Sequence, residues 1–107
     1  MIVSARDLVA VLHYNILEDD SILIVVASID NGLEFMPEQK NVVRAHLEIG
    51  GWLLRSVETG TETTYVTEVD LKGNVPASIV KLGTKMMGEQ IPKLRDTCKK
   101  FLRDNPQ

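Results

Sequence analysis

Two patterns of apolar and polar positions meet at residues 71–76, and the rest of the chain is interpreted around them. Residues 61–71 alternate between two faces with a period of two, which predicts a β-strand. One face of this strand carries Thr63, Tyr65, Thr67 and Val69. Over residues 76–102 the apolar positions instead recur every three or four residues, which predicts a long amphipathic helix.

The change of period is marked by residues that turn the chain. Lys72-Gly73-Asn74 predicts a turn, and Pro76 suits the first turn of a helix, where its missing N–H would have no intrahelical partner. Pro92 lies inside the helical pattern, so we expect it to kink the helix.

The first part of the chain predicts a β-hairpin. Residues 8–16 alternate, and one face carries Leu8, Ala10, Leu12, Tyr14 and Ile16. Residues 21–28 are apolar on both faces, which is typical of a central strand. The acidic run Glu18-Asp19-Asp20 forms the expected turn between them.

The stretch 29–41 interrupts the strand pattern. An Asn-Gly pair and Pro37 exclude a regular strand through it, and loops of this length are often functional. Three apolar residues lie in this surface loop: Leu33, Phe35 and Met36. Two interpretations are open, since these side chains can form a small satellite core beneath the loop or belong to a moving lid.

Residues 42–49 alternate again, with Val43, Ala45, Leu47 and Ile49 on the apolar face, and residues 52–57 form a further predicted strand. Gly50-Gly51 is interpreted as a tight connection between these two strands, and residues 58–60 as the turn into residues 61–71. The chain therefore predicts five strands and a C-terminal helix, an α+β fold in which short connections favour an antiparallel meander.

Composition narrows the possible functions. The chain has 107 residues, 44% apolar and 25% charged, which is the make-up of one small globular domain. A net charge of −3 argues against nucleic acid as a partner, and no apolar run approaches the ~20 residues of a membrane span. The lone Cys98 and the absence of a signal-peptide pattern lead us to expect a cytoplasmic protein.

No set of residues predicts catalysis, a metal or a cofactor. His13 and His46 lie on different strands without further ligands at metal-binding spacing, and no serine lies in a Gly-x-Ser-x-Gly turn. Cys98 falls on the apolar stripe of the helix and is expected to be a buried thiol. The basic residues between Lys93 and Arg103 are interpreted as a solvated face, with attraction to an anionic membrane as the alternative.

Several short segments then resemble a known family by their order and spacing. They comprise Arg6, Asp7, Leu8 and Val9; Val43, Arg44 and Ala45; Gly51 and Trp52; and Asp70, Gly73 and Pro76. Together they resemble the C-terminal half of a START domain, the lipid-transfer domain named after the steroidogenic acute regulatory protein. Residues 36–40, with the sequence MPEQK, most resemble the sterol-type members.

The resemblance implies a helix-grip fold, in which a curved antiparallel β-sheet carries a long C-terminal α-helix packed across it. It implies non-enzymatic binding, transfer or sensing of one sterol or phospholipid, and transient peripheral contact with a membrane surface. The expected lipid contacts are Leu12, Ala45, Leu47, Trp52, Leu54, Tyr65, Thr67, Val80, Met87, Ile91 and Leu94. The expected gate loop carries Leu33, Phe35 and Met36.

The chain also departs from the family pattern. We expect residues 1–107 to form a single, partial domain that lacks the family's N-terminal helix and first strands. In the family the strand at residues 61–71 pairs with that missing half, so its open edge predicts a homodimer or a domain swap. The alternative function is a dimerisation or protein-interaction module without a lipid cavity. Leu12 stands where similar cholesterol carriers have an arginine of a buried ion pair, which argues against strict sterol specificity.

Overall fold

The computed structural model describes residues 3–106, and the chain divides into two compact units. Met1–Asn74 contains all the described strands and is called the sheet unit; Val75–Gln107 contains the two long helices and is called the helical unit. The predicted fold class is confirmed, because a curved antiparallel sheet is followed by a long C-terminal helical segment.

The sheet unit is built around four antiparallel strands. Its described elements are β1 (Ala5–Asp7), β2 (Ala10–Ile16), β3 (Ile22–Ser28), the short helix α1 (Gly32–Phe35), β4 (Val42–Arg44), β5 (His46–Val57) and β6 (Gly60–Asp70). The sheet order is β2-β3-β5-β6, as expected for a meander. In addition β1 and β4 pair in parallel, which the predicted five-strand arrangement lacked.

The predicted connection at Gly50-Gly51 is wrong, because β5 runs through both glycines without a break. Gly50 pairs with Val26 on one side and Thr67 on the other. Gly50 is buried, and neither glycine has a positive φ. These glycines therefore leave the middle of a central strand without side chains, and they do not turn the chain.

The core of the sheet unit is small. Ala45 is 3% exposed and Leu47 is 8% exposed, and no large side chain among the described residues is fully buried. Ser21 is also buried, and its N–H donates to Asp19 Oδ1 at 3.0 Å, a hydrogen bond that lowers the pKa of Asp19. Much of the apolar surface of the strands is consequently left accessible.

The turn after β6 is held by Arg6. Its Nε donates to the carbonyl oxygen of Leu71 at 3.1 Å and its Nη2 to that of Lys72 at 2.8 Å. The N–H of Lys72 donates to Asp70 Oδ1 at 2.9 Å, which lowers the pKa of Asp70. Gly73 has φ +66°, and a Cβ there would lie 3.0 Å from Arg6 Nη2. The predicted turn is confirmed, and both the positive φ and the nearby guanidinium favour glycine at this position.

The helical unit consists of α2 (Ala77–Gly88) and α3 (Gln90–Asp104), interrupted at Glu89. Pro92 has no N–H to donate to the carbonyl oxygen of Gly88, so the interruption agrees with the kink predicted from its position. Neither of these helices is both long and apolar enough to cross a membrane.

Candidate functional site

One face of the four-stranded sheet is lined mainly by apolar side chains. Residues directly opposite each other in an antiparallel pair point to the same side, so the register defines this surface, called the apolar face. Its members are Ala10, Leu12, Tyr14 and Ile16 on β2; Ile22, Ile24, Val26 and Ser28 on β3; Leu47, Gly50, Trp52 and Leu54 on β5; and Thr63, Tyr65, Thr67 and Val69 on β6.

A β-bulge at Glu48 keeps this face continuous along β5. Leu47 pairs with Val69, but the next paired residue is Ile49, which lies opposite Glu68. The extra residue reverses the alternation, so that Leu47 and Trp52 share the apolar face although one number is odd and the other even. Ile49 was predicted on the same face as Leu47, and the bulge instead places it on the opposite, solvent-exposed side.

An aromatic pair lies at the centre of β5 and β6. Trp52 and Tyr65 are register partners, with ring centroids 4.2 Å apart and an interplanar angle of 25°. This stacked pair offers a flat, half-buried apolar platform. Toward the other edge, β2 presents Leu12, Tyr14 and Ile16 in an exposed row. A contiguous accessible surface of this kind gains roughly 25 cal/mol for each Å² that an apolar ligand covers.

The structure brings together six of the predicted lipid contacts on this face: Leu12, Leu47, Trp52, Leu54, Tyr65 and Thr67. Ala45 is not among them, because it is buried and its N–H donates to the carbonyl oxygen of Asp7. The other four belong to the helical unit, where Met87 is half-buried and Val80, Ile91 and Leu94 are exposed.

The apolar residues of the 29–41 loop are exposed. Leu33 and Phe35 both lie in the short helix α1, and Phe35 is 67% exposed. Met36 follows the helix and is also exposed. The interpretation of these side chains as a satellite core is therefore wrong. They present an accessible apolar tip instead.

The base of the same loop is fixed by Arg44. Its Nε donates to Asp7 Oδ1 at 2.7 Å, and this hydrogen bond raises the pKa of Arg44. Its Nη2 donates to the carbonyl oxygen of Met36 at 2.9 Å, with a longer contact of 3.4 Å to that of Pro37. The loop thus combines an anchored base with an exposed apolar tip.

A pocket of about 230 Å³ lies where the loop meets the strand ends. Its walls are formed by Val9, Ser28, Ile29, Asp30, Gly32, Leu33, Glu38, Arg44, Ala45, His46 and Lys72. Of the residues predicted for the site, only Leu33 and Ala45 line it. Sequence reasoning missed this pocket because its polar residues come from separate segments and follow no spacing.

The two units differ strongly in charge. The sheet unit has five Lys and Arg against twelve Asp and Glu, a formal net charge of −7, whereas the helical unit has seven against three, a net charge of +4. In α3, Ile91, Leu94, Cys98 and Leu102 recur along one side, and the basic residues lie around the rest of the helix. Cys98 is exposed, contrary to the buried thiol expected from its place on this stripe.

Comparison with known proteins gives a consistent result. The START domain family model matches residues 1–104. The crystal structure of human STARD10 matches with a TM-score of 0.76 at 20% identity, over 96% of this chain and 43% of that chain. Human StAR-related lipid transfer protein 5 matches with a TM-score of 0.74 at 22% identity, over 90% of this chain and 46% of that one. The chain spans less than half the length of either structure, and no curated protein sequence matches it significantly.

Proposed function

The chain belongs to the START domain family, whose members bind and transfer lipids, and we propose that it binds one sterol or phospholipid without altering it covalently. The observation that carries the proposal is the apolar face, a contiguous and accessible hydrophobic surface in a member of this family. Val80, Met87, Ile91 and Leu94 of the helical unit stay predicted lipid contacts in this proposal.

Trp52 provides a direct test, because it is the only tryptophan in the chain and lies on the apolar face. Lipids with a brominated or spin-labelled acyl chain are expected to quench its emission on binding. Leu12→Gln should weaken this binding by about ten- to a hundredfold, since burying a leucine side chain contributes roughly 1.5–3 kcal/mol.

A neighbouring residue supplies the matched control for Leu12→Gln. Val11 is 54% exposed and Leu12 is 62% exposed, but they point to opposite faces of β2. Val11→Gln is expected to leave quenching unchanged. Equal weakening by both variants, or no quenching by any lipid, would contradict lipid binding on this face.

Transfer requires contact with a membrane, and the proposal assigns this contact to the loop tip and the helical unit. The tip offers Leu33, Phe35 and Met36, and the helical unit carries a net charge of +4. Near an anionic surface each basic residue contributes about 1 kcal/mol of attraction, screened by salt. In this proposal the protein lies in the cytoplasm and contacts membrane surfaces peripherally.

The loop can be tested with Phe35→Trp in a Trp52→Phe background, which leaves one reporter at the tip. A blue shift on adding anionic vesicles is expected, and an unchanged spectrum would remove the loop from the mechanism. For α3, exchanging Lys93, Lys99 and Lys100 for glutamine should reduce vesicle binding in low salt and have little effect at ~1 M salt. Unchanged association in low salt would exclude this attraction.

Assembly through the sheet edge is the second candidate, favoured by the place of β6 at the end of the sheet order. Strand β6 is eleven residues long and pairs with β5 on one side. Its other backbone edge has no strand partner among the described residues, and such edges pair readily with another strand. We expect a homodimer by light scattering, which Val66→Lys on the edge strand should shift toward monomer. Ile49→Lys, on the same side of the neighbouring strand, is the control; a monomeric parent protein would exclude this candidate.

A further inference from the structure

We propose that the side of the four-stranded sheet opposite the apolar face docks an amphipathic helix of another protein, one whose apolar stripe is flanked by lysine or arginine. This side is called the outer face. Its apolar members are Leu23, Val25 and Ala27 on β3, Ile49 and Leu53 on β5, and Val66 on β6. The proposal is independent of lipid binding, because none of these residues belongs to the apolar face.

The outer face combines the composition of a buried surface with the exposure of a free one. Strand β3 is apolar on both faces, which is typical of a strand covered on both sides, whereas a sheet with one solvated side presents polar residues there. All seven residues of β3 are nevertheless only half-buried, and Ile49 and Val66 are 41% and 56% exposed. Accessible apolar surface of this kind marks a site of interaction.

Gly51 forms a notch in the centre of the outer face. It lies between Val25 and Val66 in the register of the sheet, and Leu53 follows it on the same side of β5. A Cβ built on Gly51 would have one neighbour within 4 Å among the described residues, the carbonyl oxygen of Ile24 at 3.8 Å. A glycine inside a strand allows close approach, so an apolar side chain of the partner can enter between the two valines.

The size of this apolar centre favours a short helix over a second copy of the chain. From Leu23 to Ala27 strand β3 rises by about 13 Å, and the three strands β3, β5 and β6 are together roughly 14 Å wide. The resulting area of roughly 180 Å² is far below the ~800 Å² that each partner buries in a stable protein interface. An α-helix about 10 Å across covers it with two or three turns.

The charge of the sheet unit determines which helix fits. Its formal net charge is −7, and on β6 two carboxylates, Glu62 and Glu68, lie on the same side as Val66. Glu62 forms an ion pair with Arg55, whereas Glu68 has no ion pair within residues 3–106. An acidic field at this face repels nucleic acid and anionic membranes, and it attracts a helix flanked by lysine or arginine.

The test measures fluorescence anisotropy of two labelled synthetic helical peptides with the 107-residue chain. Both peptides carry leucine at positions i, i+3, i+4 and i+7, and the flanking positions are lysine in one and glutamate in the other. The parent protein should bind the lysine peptide about tenfold more tightly than the glutamate peptide. Gly51→Val should weaken binding of the lysine peptide about tenfold because it fills the notch, whereas nonspecific hydrophobic adhesion would increase with the added apolar surface. Gly51 has no positive φ and valine favours strands, so this variant should fold like the parent protein.

Two further variants locate the bound peptide. Ile49→Gln on the outer face should weaken binding of the lysine peptide several-fold and leave the assembly state in light scattering unchanged, whereas Leu12→Gln on the opposite face should not alter peptide binding. Equal affinity for the two peptides, full binding by Gly51→Val, or weakening by Leu12→Gln would overturn the proposal. A change of assembly state in Ile49→Gln would assign the outer face to a second copy and overturn it as well. None of these results bears on lipid binding, which is measured by quenching of Trp52.

Discussion

The turn that follows β6 allows a prediction in which two contributions to stability can be measured apart. Gly73→Ala introduces a Cβ at a residue with φ +66° and places it 3.0 Å from Arg6 Nη2. The substitution should therefore strain the backbone and also displace the arginine that holds the turn. Both effects lower the free energy of unfolding of the sheet unit.

The magnitudes follow from the local geometry. A non-glycine residue in the left-handed region costs about 1–2 kcal/mol. Displacing Arg6 weakens its bonds to the carbonyl oxygens of Leu71, which is partly buried, and Lys72, which is exposed. Buried hydrogen bonds from charged donors contribute about 1.5–3 kcal/mol each. Because these two bonds are partly exposed, weakening both should lower the free energy of unfolding by ~1–2 kcal/mol. Gly73→Ala should cost about 2–4 kcal/mol in total.

Urea unfolding followed by Trp52 emission measures this cost in the parent protein and in an Arg6→Ala background. Without the arginine only the backbone strain remains, so Gly73→Ala should then cost about 1–2 kcal/mol. Gly60→Ala is the control, because Gly60 has φ +149° but nothing within 4 Å of its added Cβ; its cost should be independent of Arg6. An identical cost of Gly73→Ala in both backgrounds would refute the reasoning.

Three further predictions concern other elements. Trp52→Leu and Tyr65→Leu, analysed as a double-mutant cycle by circular dichroism, should show a coupling of about 0.5–1.5 kcal/mol, and additive effects would contradict a contribution from ring stacking. Gly83→Ala should stabilise α2 by about 1 kcal/mol in thermal unfolding, because nothing lies within 4 Å of the added Cβ; a loss of stability would contradict this. The pKa of Asp70 is lowered in the folded protein, so its carboxylate stabilises the fold fully above the ordinary pKa of 3.8, and this stabilisation is lost as the pH falls below that value. In urea unfolding measured from about pH 5 to pH 2, Asp70→Asn should therefore lose less stability than the parent protein does. An unchanged acid profile would contradict this role of Asp70.

The alternating faces of the strands could be predicted from sequence because side-chain direction follows directly from the period. Tyr65 and Thr67 lie on the predicted face of β6, and Leu12 lies on the predicted face of β2. The interruption of the helix was equally predictable, since a proline removes a backbone donor wherever it lies.

The conformation of the two glycines of β5 could not be predicted from the local sequence pattern. Gly50 and Gly51 have the composition of a turn, but their pairing with strands on both sides keeps them extended. The change in alternation between Leu47 and Trp52 was visible in the sequence and was assigned to that turn, whereas the bulge at Glu48 produces it. Local propensity was overridden here by pairing between distant residues.

The candidate site was predictable only in its regular part. Residues of the apolar face follow the strand period, whereas the pocket joins Ser28, Asp30, Arg44 and Lys72 from different segments. No spacing along the chain marks such a set, because tertiary structure alone makes these residues neighbours. The loop residues were recognised as apolar, but their exposure depended on how Arg44 fixes the base of the loop.

The parallel pairing of β1 with β4 has a consequence for the order in which the sheet unit assembles. Asp7 and Arg44 are 37 positions apart, whereas β2 and β3 are joined by a short turn. Because the entropy lost on closing a loop grows with its length, we expect the β2–β3 hairpin to form early and to shorten the path between β1 and β4. We expect β1 to pair with β4 late in folding. The amide protons of β1 should be among the first of the sheet unit to exchange with deuterium.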